Sequence, residues 1–219
     1  MEKDFLHLIE TRRSCRSYRP EQIADEQLEA ILQAGTYAPS AMGAQSPYIV
    51  AVQNPGQIAQ LSAMNARVMN TSADPYYGAP TLVLVFAPRE AKNAVQDASC
   101  VLENMMLAAH ALGVGSCWIN REREMFATEE GGALMKQWGL PEGLCGVGAL
   151  SLGYPAAEPS PRKPPQGGLR AGYPLSESRH AKGILPQTAQ QTYPRGGFLF
   201  CGQILNFAIK KSTKNSNRR

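Results

Sequence analysis

AVQDASCVLENMMLAAHALGVGSCWI, residues 94–119, is the stretch on which the fold turns. Val95, Ala98, Val101, Leu102, Met105, Met106, Ala109 and Leu112 recur every three or four residues, which predicts a helix over 94–112. They cover more than one stripe, so this helix is buried on most sides, either in the core or against a second subunit. Gly113 ends it, and 114–119 returns as a short strand.

Upstream, residues 4–9 read as a short helix with Phe5, Leu8 and Ile9 on one side. Asp25 is placed to cap a second helix through Leu28, Ile31 and Leu32, with Gly35 placed to stop it. Residues 48–53 read as a strand, followed by a helix carrying Ile58, Leu61, Met64 and Val68. TLVLVFA, residues 81–87, is apolar on both faces and predicts a central strand. Downstream, a helix starts at Thr128 or Glu129 and stops at Gly139, and 144–152 makes a last core strand. Helices and strands alternate throughout, which gives the α+β class in one layered domain over 1–164.

Charge divides unevenly. Residues 1–163 hold 13 Lys/Arg against 17 Asp/Glu, while 164–219 hold 9 Lys/Arg against Glu177 alone. The net +4 therefore belongs to the tail and gives the domain no nucleic-acid signature. The tail, 165–219, is rich in proline and glycine and reads as poorly ordered, with an apolar patch at 198–209. Few aromatics accompany Lys210, Lys211, Lys214, Arg218 and Arg219, which disfavours a nucleic-acid partner.

Acids and arginines fill the first thirty residues and no apolar run is long enough for a bilayer, so a cytoplasmic chain without a membrane partner is expected. Five scattered cysteines with no C-x-x-C pair point to small buried hydrophobes rather than to a metal site or a disulfide framework.

Arg12-Arg13-Ser14-Cys15-Arg16 puts three guanidinium groups and a hydroxyl within five residues. A phosphate dianion is recognised by such forks through paired, charge-assisted hydrogen bonds, although a solvated basic loop has the same composition. Arg162-Lys163 offers further positive charge. The loop Ala38-Pro39-Ser40-Ala41-Met42-Gly43-Ala44-Gln45-Ser46-Pro47 combines small residues, which let backbone approach a flat ligand, with a glutamine that both donates and accepts. His110 lies within the apolar helix and reads as a packed, hydrogen-bonded histidine.

Two other motifs fail on context. Gly113-Val114-Gly115 begins a G-x-G-x-x-G pattern, but Trp118 takes the third glycine's place and no helix follows. Residues 149–153 come within one residue of a hydrolase elbow, yet Pro155 follows where a helix is required.

Taken in order, R-R-S-x-R, A-P-S-A-M-x-x-Q-S-P, G-A-P before an apolar strand, D-A-S-x-V-x-E-N-M-M-L-A-A-H into G-x-G-S-C-W-I, and L-G-Y-P before P-R-K resemble the nitroreductase family from about Phe5 to Pro164. The resemblance implies a layered sandwich with a central mixed sheet flanked by helices, and FMN held at a homodimer interface. It implies that Arg12, Arg13, Ser14 and Arg16, with Arg162 and Lys163, hold the FMN phosphate and ribityl chain. Pro39, Ser40, Ala41 and Gln45 come from the second subunit. Asn65 contacts the isoalloxazine ring, and Gly115, Ser116 and Asn120 lie in the segment facing its N5 edge. No protein nucleophile is implied: the flavin takes a hydride from NADH or NADPH and passes reducing equivalents to a nitroaromatic or quinone-like acceptor by a ping-pong route. Dehalogenation or oxidation on the same scaffold is the alternative, and a binding module acting through the basic tail is a more distant one. Gly43 departs from the asparagine usual in relatives, and the tail departs from their dimer-clasping arm.

Overall fold

The computed structural model describes residues 2–158, 160–161 and 163–167. The chain divides into two units, 1–162 and 163–219, and the elements among the described residues lie in the first. They are α1 (Glu2–Thr11), α2 (Asp25–Thr36), β1 (Tyr48–Val52), α3 (Pro55–Met69), β2 (Thr81–Pro88), α4 (Ala94–Ala111), β3 (Gly115–Ile119), α5 (Glu122–Met125), α6 (Glu129–Gln137) and β4 (Leu144–Gly153). Arg162 and the tail from 168 onward, including the apolar patch at 198–209, lie outside the described residues.

The four strands form one sheet in the order β1-β2-β4-β3. Every residue of β2 from Thr81 to Ala87 is buried, because helices cover both faces. Val83, Val85 and Ala87 join a core with Ile31 of α2, Leu102 and Met105 of α4, and Leu150 and Leu152 of β4. Leu82, Leu84 and Phe86 point the other way, to Leu61 and Met64 of α3, Met125 of α5 and Leu134 of α6. The twofold alternation of a strand thus feeds two apolar layers at once.

The expected mixed sheet is corrected here. All neighbouring strands are antiparallel, with Val50 opposite Leu84, Val83 opposite Leu150, and Cys117 opposite Ser151. The long α4 carries the chain back so that β3 runs in the direction of β2, but β4 then inserts between them and reverses both contacts. Parallel pairing among the described residues is confined to the isolated bridge between Ser14 and Ser116.

Two local expectations also change. Ala24, rather than Asp25, is the N-cap of α2, and its N–H donates to Oε1 of Gln27 at 3.4 Å. Gly35 does not stop that helix but lies inside it. A Cβ there would come within 2.9 Å of the Met105 side chain, so the missing side chain sets how closely α2 approaches α4. Thr128 caps α6 as its sequence suggests, its hydroxyl accepting from the N–H of Gly131 at 3.1 Å.

Candidate functional site

The cationic stretch lies along the start of β3. Ser14 pairs with Ser116, and the Cys15 N–H donates to the Ser116 carbonyl at 2.9 Å. The same strand of chain continues beside the end of β4: the Tyr18 hydroxyl donates to the carbonyls of Cys15 (2.8 Å) and Ser151 (3.1 Å), and Ala156 N–H donates to Ser17 O at 3.0 Å. These bonds place the segment that carries Arg12, Arg13, Ser14 and Arg16 beside Gly115 and Ser116.

The three arginines are not equivalent. Nη1 of Arg12 is buried and has no hydrogen-bond partner among the described residues. A buried guanidinium donor without an acceptor costs free energy unless an anion supplies one, so this atom fits a phosphate oxygen. Arg16 is exposed, with its guanidinium 5.9 Å from the centre of the Tyr77 ring. Arg13 turns back, Nη1 donating to the Glu10 carbonyl at 3.0 Å and to that of Arg12.

Arg13 also lines a cavity of about 210 Å³ with Thr11, Cys15, His110, Ser116 and Pro155. Nε2 of His110 lies 3.0 Å from the Thr11 hydroxyl, which confirms a hydrogen-bonded histidine. Burial, then Arg12 and Arg13, hold its pKa below the ordinary value. Burial pushes the neighbouring Cys117 thiol up, and Arg16 opposes it.

The small-residue loop is the second candidate segment. Ser40 Oγ accepts from the Gln45 N–H at 2.9 Å, and the Ala41 N–H donates to Oδ1 of Asp97 at 2.9 Å. Met42, Gly43 and Gln45 all have positive φ, and Met42 projects fully into solvent. The loop edges a groove of about 610 Å³ lined by Tyr37, Pro39, Ser40, Gln45, Asp97 and Val101.

Within one chain these segments stand apart. Asp97 anchors the loop in the first turn of α4, whereas His110, with Thr11, Arg12 and Arg13 beside it, lies at its last turn. Thirteen residues at 1.5 Å of rise separate the anchors by about 20 Å.

Asn65 is placed differently from the expectation. It is fully buried, with Nδ2 donating to the Tyr76 hydroxyl (3.3 Å) and the Asn120 carbonyl (3.1 Å), while Oδ1 accepts from Nε of Arg121 (2.7 Å). Its amide is thus committed to holding the turn after β3. Asn120 itself is exposed, and its Oδ1 accepts from the Trp118 indole at 2.9 Å. Lys163 falls in the second unit, and Arg162 lies outside the described residues.

Sequence reading missed Tyr76, Arg121 and Glu122. The Tyr76 hydroxyl donates to Oε1 of Glu122 at 3.1 Å, and both side chains are fully buried. Burial pushes the Glu122 carboxyl up to about 7, with Tyr76 and Arg121 opposing, and burial together with Glu122 raises the Tyr76 phenol. In sequence, Glu122 sits in the run Arg121-Glu122-Arg123-Glu124, which looks like a solvated surface. Its four-residue helix is too short to show a period.

Among the described residues no cluster of His, Cys, Asp or Glu is placed to hold a metal, and Cys15, Cys100, Cys117 and Cys145 are free thiols. No helix among them is long and apolar enough to cross a membrane.

Comparison with known proteins agrees with this geometry. Residues 9–154 match the model of the nitroreductase family. A chain of Archaeoglobus fulgidus named as a candidate NADH dehydrogenase/NAD(P)H nitroreductase is 34% identical over 166 residues, covering 71% of this chain and 88% of its own. A crystal structure of a nitroreductase with bound FMN from Bacteroides fragilis superposes with a TM-score of 0.73 at 32% identity, over 78% of this chain and 99% of that one. A second, with bound FMN, from Desulfitobacterium hafniense gives 0.67 at 27% identity, over 75% and 95%. By sequence and by fold, the chain belongs to the nitroreductase family.

Proposed function

We propose that this protein is an FMN-dependent oxidoreductase that uses NADH or NADPH to reduce a small organic acceptor, nitroaromatic or quinone-like, by a ping-pong route in the cytoplasm. The observation that carries this reading is the buried, unpartnered Nη1 of Arg12 beside the Ser14–Ser116 bridge, in a family whose solved relatives hold FMN. When bound, FMN supplies the hydride chemistry, taking reducing equivalents from the nicotinamide and releasing them to the acceptor.

The chain's own residues bind and orient. Arg12 and Arg16 hold the phosphate, with the Ser14 hydroxyl beside them. Arg13 adds positive charge while its fork secures the end of α1. Gly115, Ser116 and Asn120 present backbone along the N5 edge, and Asn65 acts one step back by fixing the Asn120 carbonyl. Arg162 and Lys163 complete the phosphate end in this reading.

The second half comes from a partner copy. About 20 Å along α4 lies between Asp97, which holds the loop of Pro39, Ser40, Ala41 and Gln45, and His110, beside Arg12 and Arg13 of the same chain. In a twofold dimer each such loop faces the partner's arginines. Phe5, Leu6 and Ile9 of α1 are 58%, 55% and 45% exposed, an apolar strip consistent with an interface.

The deciding experiment is an absorption spectrum of the purified protein followed by anaerobic titration with each nicotinamide. Bound oxidised flavin bleached by NADH or NADPH, and restored by menadione or a nitroaromatic, is the expected outcome. Colourless protein that does not take up added FMN overturns the reading.

A further inference from the structure

The turn after β3 is braced from below by polar side chains that solvent does not reach. Asn65, Tyr76 and Glu122 are each fully buried, and hydrogen bonds run from Glu122 Oε1 through the Tyr76 hydroxyl to Asn65, and on to the Asn120 carbonyl and Arg121. Arg121 is held at φ 89°, a conformation that a non-glycine residue keeps only where its surroundings over-determine it. Gly146 makes room from β4, since a Cβ there would come within 2.5 Å of the Glu122 carbonyl oxygen.

Packing alone does not account for an acid here. Oε2 of Glu122 has no hydrogen-bond partner among the described residues, so the ionised carboxylate is under-solvated, whereas the acid form is neutral. A glutamine would accept the same Tyr76 hydrogen bond at the same volume.

We propose that Glu122 is a proton-holding positioning residue, which takes up one proton from solvent when the site is reduced and keeps the Asn120–Arg121 turn in place through Tyr76 and Asn65. This rests on the flavin reading above. Hydride from the nicotinamide brings two electrons and one proton, so the site gains one negative charge. One solvent proton on Glu122 removes the carboxylate's charge and restores the balance, and it leaves when the electrons pass to the acceptor. The resting carboxyl, held near 7, is poised for this. The charged or titratable groups facing it are Tyr76, Arg121 and, on its own helix, Glu124; Arg121 favours the ionised form and Glu124 opposes it. A new negative charge close by favours protonation.

The test is a reduced-minus-oxidised infrared difference spectrum of the FMN-loaded protein at pH 8. A gained carboxylic-acid C=O band that shifts in D2O is expected, with its loss in Glu122→Gln protein that still holds FMN. In the wild type the same band is absent at pH 5, where Glu122 is already protonated, so the outcome does not depend on the variant folding. FMN-loaded wild type without the band at pH 8, or the same band in Glu122→Gln, overturns this inference alone. A chain that binds no FMN overturns both it and the function proposed above.

Discussion

In the proposed phosphate site, Arg12 offers a buried donor and Arg16 an exposed one. Replacing both with alanine removes two charge-assisted contacts, each worth about 1.5–3 kcal/mol, so FMN affinity falls on the order of a hundredfold or more by flavin fluorescence titration. Stoichiometric FMN in the double variant refutes the phosphate assignment. Glu122 leaves a mark on stability as well. Its folded value near 7 lies above the ordinary 4.5, so the native state holds the proton more tightly than the unfolded chain. Stability is then full below pH 4.5, falls as pH rises to about 7, and is flat beyond. The integrated loss is about 3 kcal/mol, which Glu122→Gln abolishes in urea melts across this range. At Gly146 an added methyl meets the Glu122 backbone rather than a movable side chain, so Gly146→Ala costs about 1–3 kcal/mol. Equal melting curves for wild type and variant refute that packing. Of these residues, only the arginines are legible in sequence, because they are neighbours along the chain. Glu122 reads as surface because its burial is set by Asn65, Tyr76 and Gly146, up to 57 positions away.

Helices and strands are mostly where their periodicity puts them, because an amphipathic or doubly buried pattern is a local record of which faces meet the core. The ends are less legible. Asp25 has the side chain of a cap but sits one residue inside α2, where its charge still suits the helix N-terminus. Thr128 has both the side chain and the position. Thr128→Ala therefore removes the bond to Gly131 and destabilises the protein by about 1 kcal/mol in urea denaturation. No change in midpoint shows that α6 needs no cap. Gly35 was legible as a residue that matters, but for the wrong reason. Its sequence position suggests a helix stop, whereas the need for it comes from Met105 on a different helix. Strand direction follows the same logic: the order of elements is local, but whether β4 lies outside β3 or between β3 and β2 is set by pairing between residues far apart in the chain.

For the molecule as a whole, the proposed site requires a dimer, because its two segments are anchored at opposite ends of α4. Sedimentation should show a flavin-loaded dimer, and a flavin-loaded monomer would contradict the shared site. A sharper check mixes two defective chains. Arg12→Ala/Arg16→Ala lacks the phosphate end, and Ala41→Trp blocks the loop that reaches across. In a random mixture half the dimers are hybrids with one intact site of two, so about a quarter of the sites recover FMN in a twofold arrangement. No recovery places both halves of the site in one chain. What the sequence determined alone is the set of longer elements, the apolar faces and the cluster of cations, since each is encoded by residues close together in the chain. Tertiary structure decided the antiparallel sheet, the burial of Asn65, the proton-holding environment of Glu122 and the distance between the half-sites. Those depend on which distant surfaces exclude water from one another, and no local pattern carries that information.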